Sequence, residues 1–168
     1  SFPYVLYTSG LKDFKGKIII CQNGLKMLEY KTPNNNELFA IVTSIGAVSL
    51  ERGLSKFMGT GRTVIGNLNR EENENLEELF SNEYFNMCNV SNIRGEIWLK
   101  AAINSAINPV AAFHNINNGK LKGKRYWIIV KEILEESVRV AVSKGIKLPQ
   151  NPLEATEKII ENTSENLC

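Results

Sequence analysis

Apolar residues follow two patterns along this chain. Before about residue 67 they come in short unbroken runs separated by turn residues, and after it they recur every three or four positions. In the first half, Tyr4-Val5-Leu6-Tyr7-Thr8 predicts a strand that Ser9-Gly10 ends. Lys17-Ile18-Ile19-Ile20-Cys21 is a continuous apolar run, the kind found in a parallel strand covered on both faces. It stops at Gln22-Asn23-Gly24, and Leu25 to Tyr30 then predicts a short helix. Pro33-Asn34-Asn35-Asn36 reads as a loop, and Leu38 to Ser44 as a second apolar strand that Gly46-Ala47 breaks or bends. Ser55 to Met58 and Arg62 to Ile65 predict a hairpin, with glycines at 59, 61 and 66 supplying turns.

The second half predicts helices. Glu71 to Phe80 is acidic and amphipathic, and Ile93 to Phe113 is helical with a break at Pro109. Lys124 to Lys144 is a long amphipathic helix in which Ile129, Ile133 and Val140 mark one apolar side. Gly145 stands where a left-handed C-terminal cap belongs, with Pro149 shortly after it. Asn151-Pro152 with Glu154 is a helix start, and the pattern then runs into Asn166-Leu167-Cys168 without a stop signal. Strands followed by helices predict an α/β part followed by an all-α part, meeting near residues 67–93 and divided as 1–90 and 91–168. Neither end carries the expected signals: no start methionine or capped element precedes Ser1-Phe2-Pro3, so the chain reads as a segment of a longer protein.

Composition narrows the field. Of the 168 residues 43% are apolar and 23% charged, which argues against disorder, collagen and coiled coil. The net charge is +2, from 20 basic and 18 acidic residues, too small for a protein that tracks nucleic-acid phosphates. No apolar stretch approaches the roughly 18 residues of a membrane span, and no signal peptide opens the chain. Cys21, Cys88 and Cys168 are odd in number and far apart, which suits neither a disulfide framework nor zinc, and points to a reducing cytoplasm.

Three stretches invite chemistry. Gly59-Thr60-Gly61-Arg62-Thr63-Val64-Ile65-Gly66 is glycine-rich, but its spacing and β-branched sequel do not fit a dinucleotide fingerprint, and turns and close sheet packing account for it better. Asn23-Gly24 stands at the carboxyl end of a predicted buried strand, where open α/β sheets bind ligands; an ordinary Asn-Gly turn is the competing reading. Lys100-x-x-x-Asn104-x-x-x-Asn108 places an amine and two carboxamides on one helix face, drifting about 40° per step. Trp98, Leu99, Ala101, Ala102, Ile103, Ala106 and Ile107 surround them, so these polar groups must line a cleft or be paired. A desolvated lysine there is a useful proton donor to a carbonyl oxygen, and the amides suit hydroxyl and carboxylate groups. As a bare pattern it arises by chance roughly 0.2 times in a chain this rich in lysine and asparagine, so its apolar setting carries the argument. His114 is the only histidine and has no partners for a metal site. Asn117-Asn118-Gly119-Lys120 reads as a loop, and Lys120, Lys122, Lys124 and Arg125 as a solvated basic run.

These residues resemble a known family. Ile20-Cys21-Gln22-Asn23-Gly24-Leu25, Ile41-Val42-Thr43-Ser44-Ile45-Gly46-Ala47 and Gly59-x-Gly61-x-x-x-Ile65-Gly66 are similar to successive signatures of 2-dehydropantoate 2-reductase, or ketopantoate reductase. The run from Ile93 to Pro109 resembles that family's most specific stretch, and Asn118-Gly119-Lys120-Leu121 the segment after it. The resemblance implies a partial Rossmann-like NAD(P)-binding domain followed by the start of a 6-phosphogluconate-dehydrogenase-like helical domain. It implies NADPH-dependent reduction of ketopantoate to pantoate, on the way to pantothenate and coenzyme A. Lys100 matches the proton donor, and Asn104, Asn108 and Asn118 match substrate-binding positions. Asn23 matches a residue touching both cofactor and substrate, and Ala47 a cofactor-contacting backbone position. The reading expects the Asn23 turn and the Lys100 helix to share a cleft, with ketopantoate as small-molecule partner, a homodimer through the helical domain, and neither membrane nor nucleic acid. Two positions depart from the pattern: Ser9-Gly10 stands where a lysine is common, and Lys26 where a glycine is usual. The family's Gly-rich fingerprint is expected before residue 1, and a later serine and glutamate beyond Cys168, so the isolated chain is expected not to turn over. The alternatives are a related NAD(P)-dependent 2-oxoacid reductase with another substrate, and a non-catalytic helical interaction homologue.

Overall fold

A computed structural model describes residues 14–31, 36–59, 61–70, 76–80 and 86–166. The predicted strand at Tyr4–Thr8, the loop residues 33–35 and residues 71–75 of the predicted acidic helix lie outside the described residues. The chain divides into two units, Ser1–Ile93 and Arg94–Cys168.

In the first unit the apolar runs become strands: β1 (Lys17–Cys21), β2 (Glu37–Thr43), β3 (Gly46–Glu51), β4 (Leu54–Gly59), β5 (Thr63–Asn67) and β6 (Met87–Asn89). Four of them form a mixed sheet in the order β1-β2-β5-β6. β1 runs parallel to β2, with Ile19 opposite Phe39 and Cys21 opposite Ile41. β5 lies antiparallel to β2 and parallel to β6. The five residues of β5 are all buried, as are Leu38, Phe39 and Ala40 of β2. β1 keeps its three isoleucines only half-buried, because it is the edge strand of the described sheet. Phe39, Ile65, Leu76 and Met87 form the core, Leu76 standing just ahead of the short helix α1 (Glu77–Phe80). The predicted helix after β1 is a single 3-10 turn, Lys26–Glu29, anchored by the buried Met27.

The predicted hairpin is re-paired. Ser55–Met58 lies in β4, whose partner is β3 through the turn at Arg52-Gly53, while Arg62–Ile65 crosses into the main sheet against β2. The reason is burial: Val64 and Ile65 are almost fully inaccessible in the main sheet, whereas Leu54 and Phe57 of the hairpin remain exposed. Gly66 makes no turn; a Cβ there would fall 2.5 Å from the Val90 carbonyl oxygen, so this glycine admits the neighbouring backbone.

The second unit is built on α2 (Ile93–His114), α3 (Lys124–Ser143) and α4 (Pro152–Asn162), with a 3-10 helix at Asn118–Lys122 where a loop was predicted. Pro109 does not break α2, which continues through it. An interior proline costs about 3 kcal/mol, while burying Ile107 and Val110 is worth roughly 1.5–3 kcal/mol each, so packing wins. Ala102, Ile103, Ala106, Ile107, Val130, Leu134 and Ile160 belong to one core uniting the helices. On α3 the buried stripe is Val130, Leu134 and Ala141, flanked by half-buried Ile129 and Ile133. Val140 falls about 100° away from Ala141 and is exposed, against expectation.

Both predicted caps form. At the end of α3, Gly145 has φ +71°, the Ile146 N–H donates to the Ala141 carbonyl, and the Gly145 N–H donates to the Val142 carbonyl: a Schellman motif. At the start of α4, Asn151 Oδ1 accepts from the Leu153 and Glu154 N–H groups at 2.9 and 3.3 Å. α4 stops at Asn162 instead of running on. The Ser164 and Asn166 carbonyls there accept the Gly119 and Asn118 N–H groups, which draws the chain out of the helical path.

Candidate active site

The parallel pairing of β1 and β2 puts both carboxyl ends at one edge of the sheet. Asn23 follows β1 at that edge and is exposed. Gly24 takes φ +88° with nothing within 4 Å of a built Cβ, so the left-handed backbone, rather than crowding, demands glycine. The turn is braced by the buried Met27 and by the Tyr30 hydroxyl, which donates to Gln22 Oε1 at 3.3 Å. After β2 the chain passes Thr43, whose hydroxyl lies 2.7 Å from that of Thr63, and enters β3, where Ala47 pairs with Phe57. Asn23 and Ala47 thus follow the carboxyl ends of adjacent parallel strands, the edge at which α/β sheets take ligands.

In the second unit, Lys100, Asn104 and Asn108 all lie on the unbroken α2, each about one turn (~6 Å) from the next. Exposure rises along the stripe: Lys100 and Asn104 are half-buried and Asn108 is exposed. Ile97, Trp98, Leu99, Ala102 and Ile103 are buried around the amino-terminal part of the stripe. Next to it, the Ser105 hydroxyl of α2 lies 3.0 Å from the Ser137 hydroxyl of α3 and ties the two helices together. Lys100 therefore stands one helical turn before the first of two asparagines, on a face that passes from half-buried to exposed.

Asn118 is not in a loop tip but 5% exposed. Its N–H donates to the Asn166 carbonyl, and its Nδ2 donates to Thr163 Oγ1 at 2.9 Å. Thr163 Oγ1 in turn donates to the Ile159 carbonyl at 2.7 Å. Sequence reasoning missed Thr163: it lies 45 residues from Asn118, and no local pattern marks the pairing. Elsewhere, His114 packs its ring against Phe113 and Tyr126 at 5.1 and 4.8 Å between centroids. Among the described residues no group of His, Cys, Asp or Glu is arranged to hold a metal ion. Lys120, Lys122, Lys124 and Arg125 are exposed, and Lys122 pairs with Glu161. No described helix is long and apolar enough to cross a membrane.

Residues 92–168 match the family described as ketopantoate reductase PanE/ApbA C terminal. A curated relative, the 2-dehydropantoate 2-reductase of Pyrococcus horikoshii, is 33% identical over 155 residues, which cover 89% of this chain and 51% of the relative. Among solved structures, a probable 2-dehydropantoate 2-reductase from Bacillus subtilis superposes with a TM-score of 0.76 at 21% identity, covering 97% of this chain and 57% of that one. D-mandelate dehydrogenase in complex with NADH superposes with a TM-score of 0.69 at 22% identity, covering 89% of this chain and 50% of that one. The chain spans about half the length of the curated relatives it matches. The resemblance read from the motifs is borne out: this chain is similar in sequence to the ketopantoate reductases over about half of their length, and it shares the fold of that stretch, an α/β part followed by an all-α part.

Proposed function

We propose that this chain supplies the cofactor-edge turn and the substrate helix of a cytoplasmic, NADPH-dependent 2-dehydropantoate 2-reductase. The reaction is reduction of ketopantoate to pantoate in the synthesis of pantothenate and coenzyme A. The observation that carries the reading is the stripe on α2, an ammonium and two carboxamides in register on one helix that its proline does not interrupt. A helix surface with that composition recognises a small molecule bearing a ketone, a hydroxyl and a carboxylate.

The strand edge in the first unit fits a nicotinamide cofactor. Asn23 is exposed with both a donor and an acceptor to offer, and the left-handed Gly24 and Ala47, the second residue of β3, put backbone after the ends of β1 and β2. When bound, the cofactor supplies the hydride that reduces the ketone carbon. The remaining work belongs to the chain. Lys100 donates a hydrogen bond to the ketone oxygen, stabilises the negative charge that grows there, and gives up one proton as the C=O becomes an alcohol. Asn104 and Asn108 orient the substrate's hydroxyl and carboxylate. Asn118 belongs to the same substrate set, with its amide nitrogen already committed to Thr163. The helical unit is taken to mediate a homodimer, which sedimentation of the natural protein checks.

Steady-state kinetics of the natural protein that carries this sequence test the reading. Ketopantoate with NADPH is expected to turn over, and Lys100→Ala to lower kcat by about 10²–10⁴-fold with the fold retained by circular dichroism. An unchanged kcat in that variant refutes the catalytic role and favours the non-catalytic helical homologue. The likeness to D-mandelate dehydrogenase supports a second reading, a related 2-oxoacid reductase with a different acyl pocket. Turnover of a bulkier 2-oxoacid in preference to ketopantoate, or of NADH in preference to NADPH, selects it.

A further inference from the structure

The chain carries two Asn-Gly pairs, Asn23-Gly24 and Asn118-Gly119, in opposite surroundings. We infer that Asn23 is a site of spontaneous deamidation, a covalent modification that turns the carboxamide at the strand edge into a carboxylate. The reaction consumes water and no other reagent. The Gly24 backbone nitrogen attacks Asn23 Cγ, so that an N–Cγ bond forms and the Cγ–Nδ2 bond breaks. Nδ2 leaves as ammonia with the proton that the Gly24 nitrogen gives up. Water then opens the cyclic succinimide at either carbonyl, leaving aspartate or isoaspartate, whose main chain runs through Cγ.

The structure favours attack at Asn23 on three counts. Asn23 and Gly24 are both exposed. Gly24 has φ +88° and nothing within 4 Å of a built Cβ, so the peptide has room to swing its nitrogen toward Cγ. Among the described residues no hydrogen bond engages the Gly24 N–H, and the holds on this turn, buried Met27 and the Tyr30 contact to Gln22, lie to either side of the pair. Asn118-Gly119 differs at every point. Asn118 is 5% exposed, and its Nδ2, the leaving group, donates to Thr163 Oγ1 at 2.9 Å. The Gly119 nitrogen, which would have to attack, donates its proton to the Ser164 carbonyl at 3.0 Å. A Cβ on Gly119 would lie 3.1 Å from the Ser164 Cβ, so the 3-10 helix must part from segment 163–166 before that pair can react.

The modification changes what the edge can bind. A carboxamide offers a donor and an acceptor, whereas a carboxylate only accepts and carries a negative charge. The cofactor and the oxoacid proposed above are both anionic, so deamidation weakens both. This consequence rests on the reading of Asn23 as a contact to the two ligands; the modification itself does not.

The experiment incubates the unliganded natural protein in warm neutral buffer and follows both Asn-Gly peptides by mass spectrometry, with isoaspartate detected by enzymatic methylation. Asn23 is expected to convert at least about tenfold faster than Asn118, the scale of the hydrogen bonds that must open first around Asn118. In denaturing urea, where those bonds are gone, the two pairs should convert at comparable rates. A native ratio no larger than the one in urea, or faster loss of Asn118, overturns the inference. Asn23→Asp, with thermal unfolding confirming the fold, should raise KM for NADPH and for ketopantoate about tenfold, and the aged protein should show the same two changes. Fast conversion of Asn23 with both KM values unaltered in Asn23→Asp upholds the modification and removes Asn23 from the ligand sites, so the two failures are told apart.

Discussion

Single side chains at the helix ends fix where each helix stops, and they are worth testing apart from any chemistry. Asn151 satisfies two of the amide donors that the first turn of α4 leaves open, and Pro152 next to it needs no partner at all. Asn151→Ala is expected to destabilise the protein by about 1 kcal/mol, read as a lowered urea midpoint with an unchanged slope. Both this cap and the Gly145 Schellman turn are legible in the sequence, because every atom involved lies within six residues of the others. Thr163 is the opposite case. Its place beside Asn118 exists only once the 3-10 helix has packed against the end of α4, and a threonine just past a helix end carries no mark of it. The stripe of Lys100, Asn104 and Asn108 sits between these extremes. Its register follows from helix geometry alone, while the fading burial from Lys100 to Asn108 depends on the packing of the other helices.

Among the elements, the strands that formed as read are those whose burial is continuous along the sequence, and the misread ones are those whose partner was ambiguous. The unbroken apolar run of β1 predicts a parallel strand, and β1 does pair in parallel with β2, though at the edge of the described sheet it stays half-buried. The hairpin was assigned to the wrong partner because glycines flank β4 on its later side, while the working turn at Arg52-Gly53 is a single glycine after an arginine. Pairing is decided by which strand fills the central slot beside β2, and β5, buried throughout, outcompetes β4 for it. α2 shows the same precedence of packing over local preference. Pro109 deprives the Ser105 carbonyl of its regular donor, yet the buried residues on either side hold the helix in line. Pro109→Ala returns that donor without touching the core, since Pro109 is exposed. It is expected to raise stability by about 2–3 kcal/mol, measured by urea unfolding, with the helix content unchanged by circular dichroism. A loss of stability instead would mean that the helix is shaped around its proline.

At the scale of the whole molecule, the two units divide the proposed labour, and the division makes a kinetic prediction that no single variant does. In the proposed reading, residues of the strand unit answer to the nicotinamide cofactor, and the stripe of the helical unit answers to the oxoacid. Asn23 is the exception, because the position it matches touches both ligands. Asn104→Ala and Asn108→Ala should therefore raise KM for ketopantoate about five- to tenfold each and leave KM for NADPH unaltered. Asn23→Ala should raise both. The contrast guards against a trivial cause: a loss of stability lowers the amount of active enzyme and so the apparent kcat, without choosing between two KM values. Asn108 is the sharpest member of the set. It is already exposed, so its removal leaves no cavity behind. A raised oxoacid KM in Asn108→Ala with an unchanged Tm and NADPH KM is the expected sign of a ligand contact, and the absence of one would confine the substrate surface to Lys100 and Asn104, the half-buried part of the stripe.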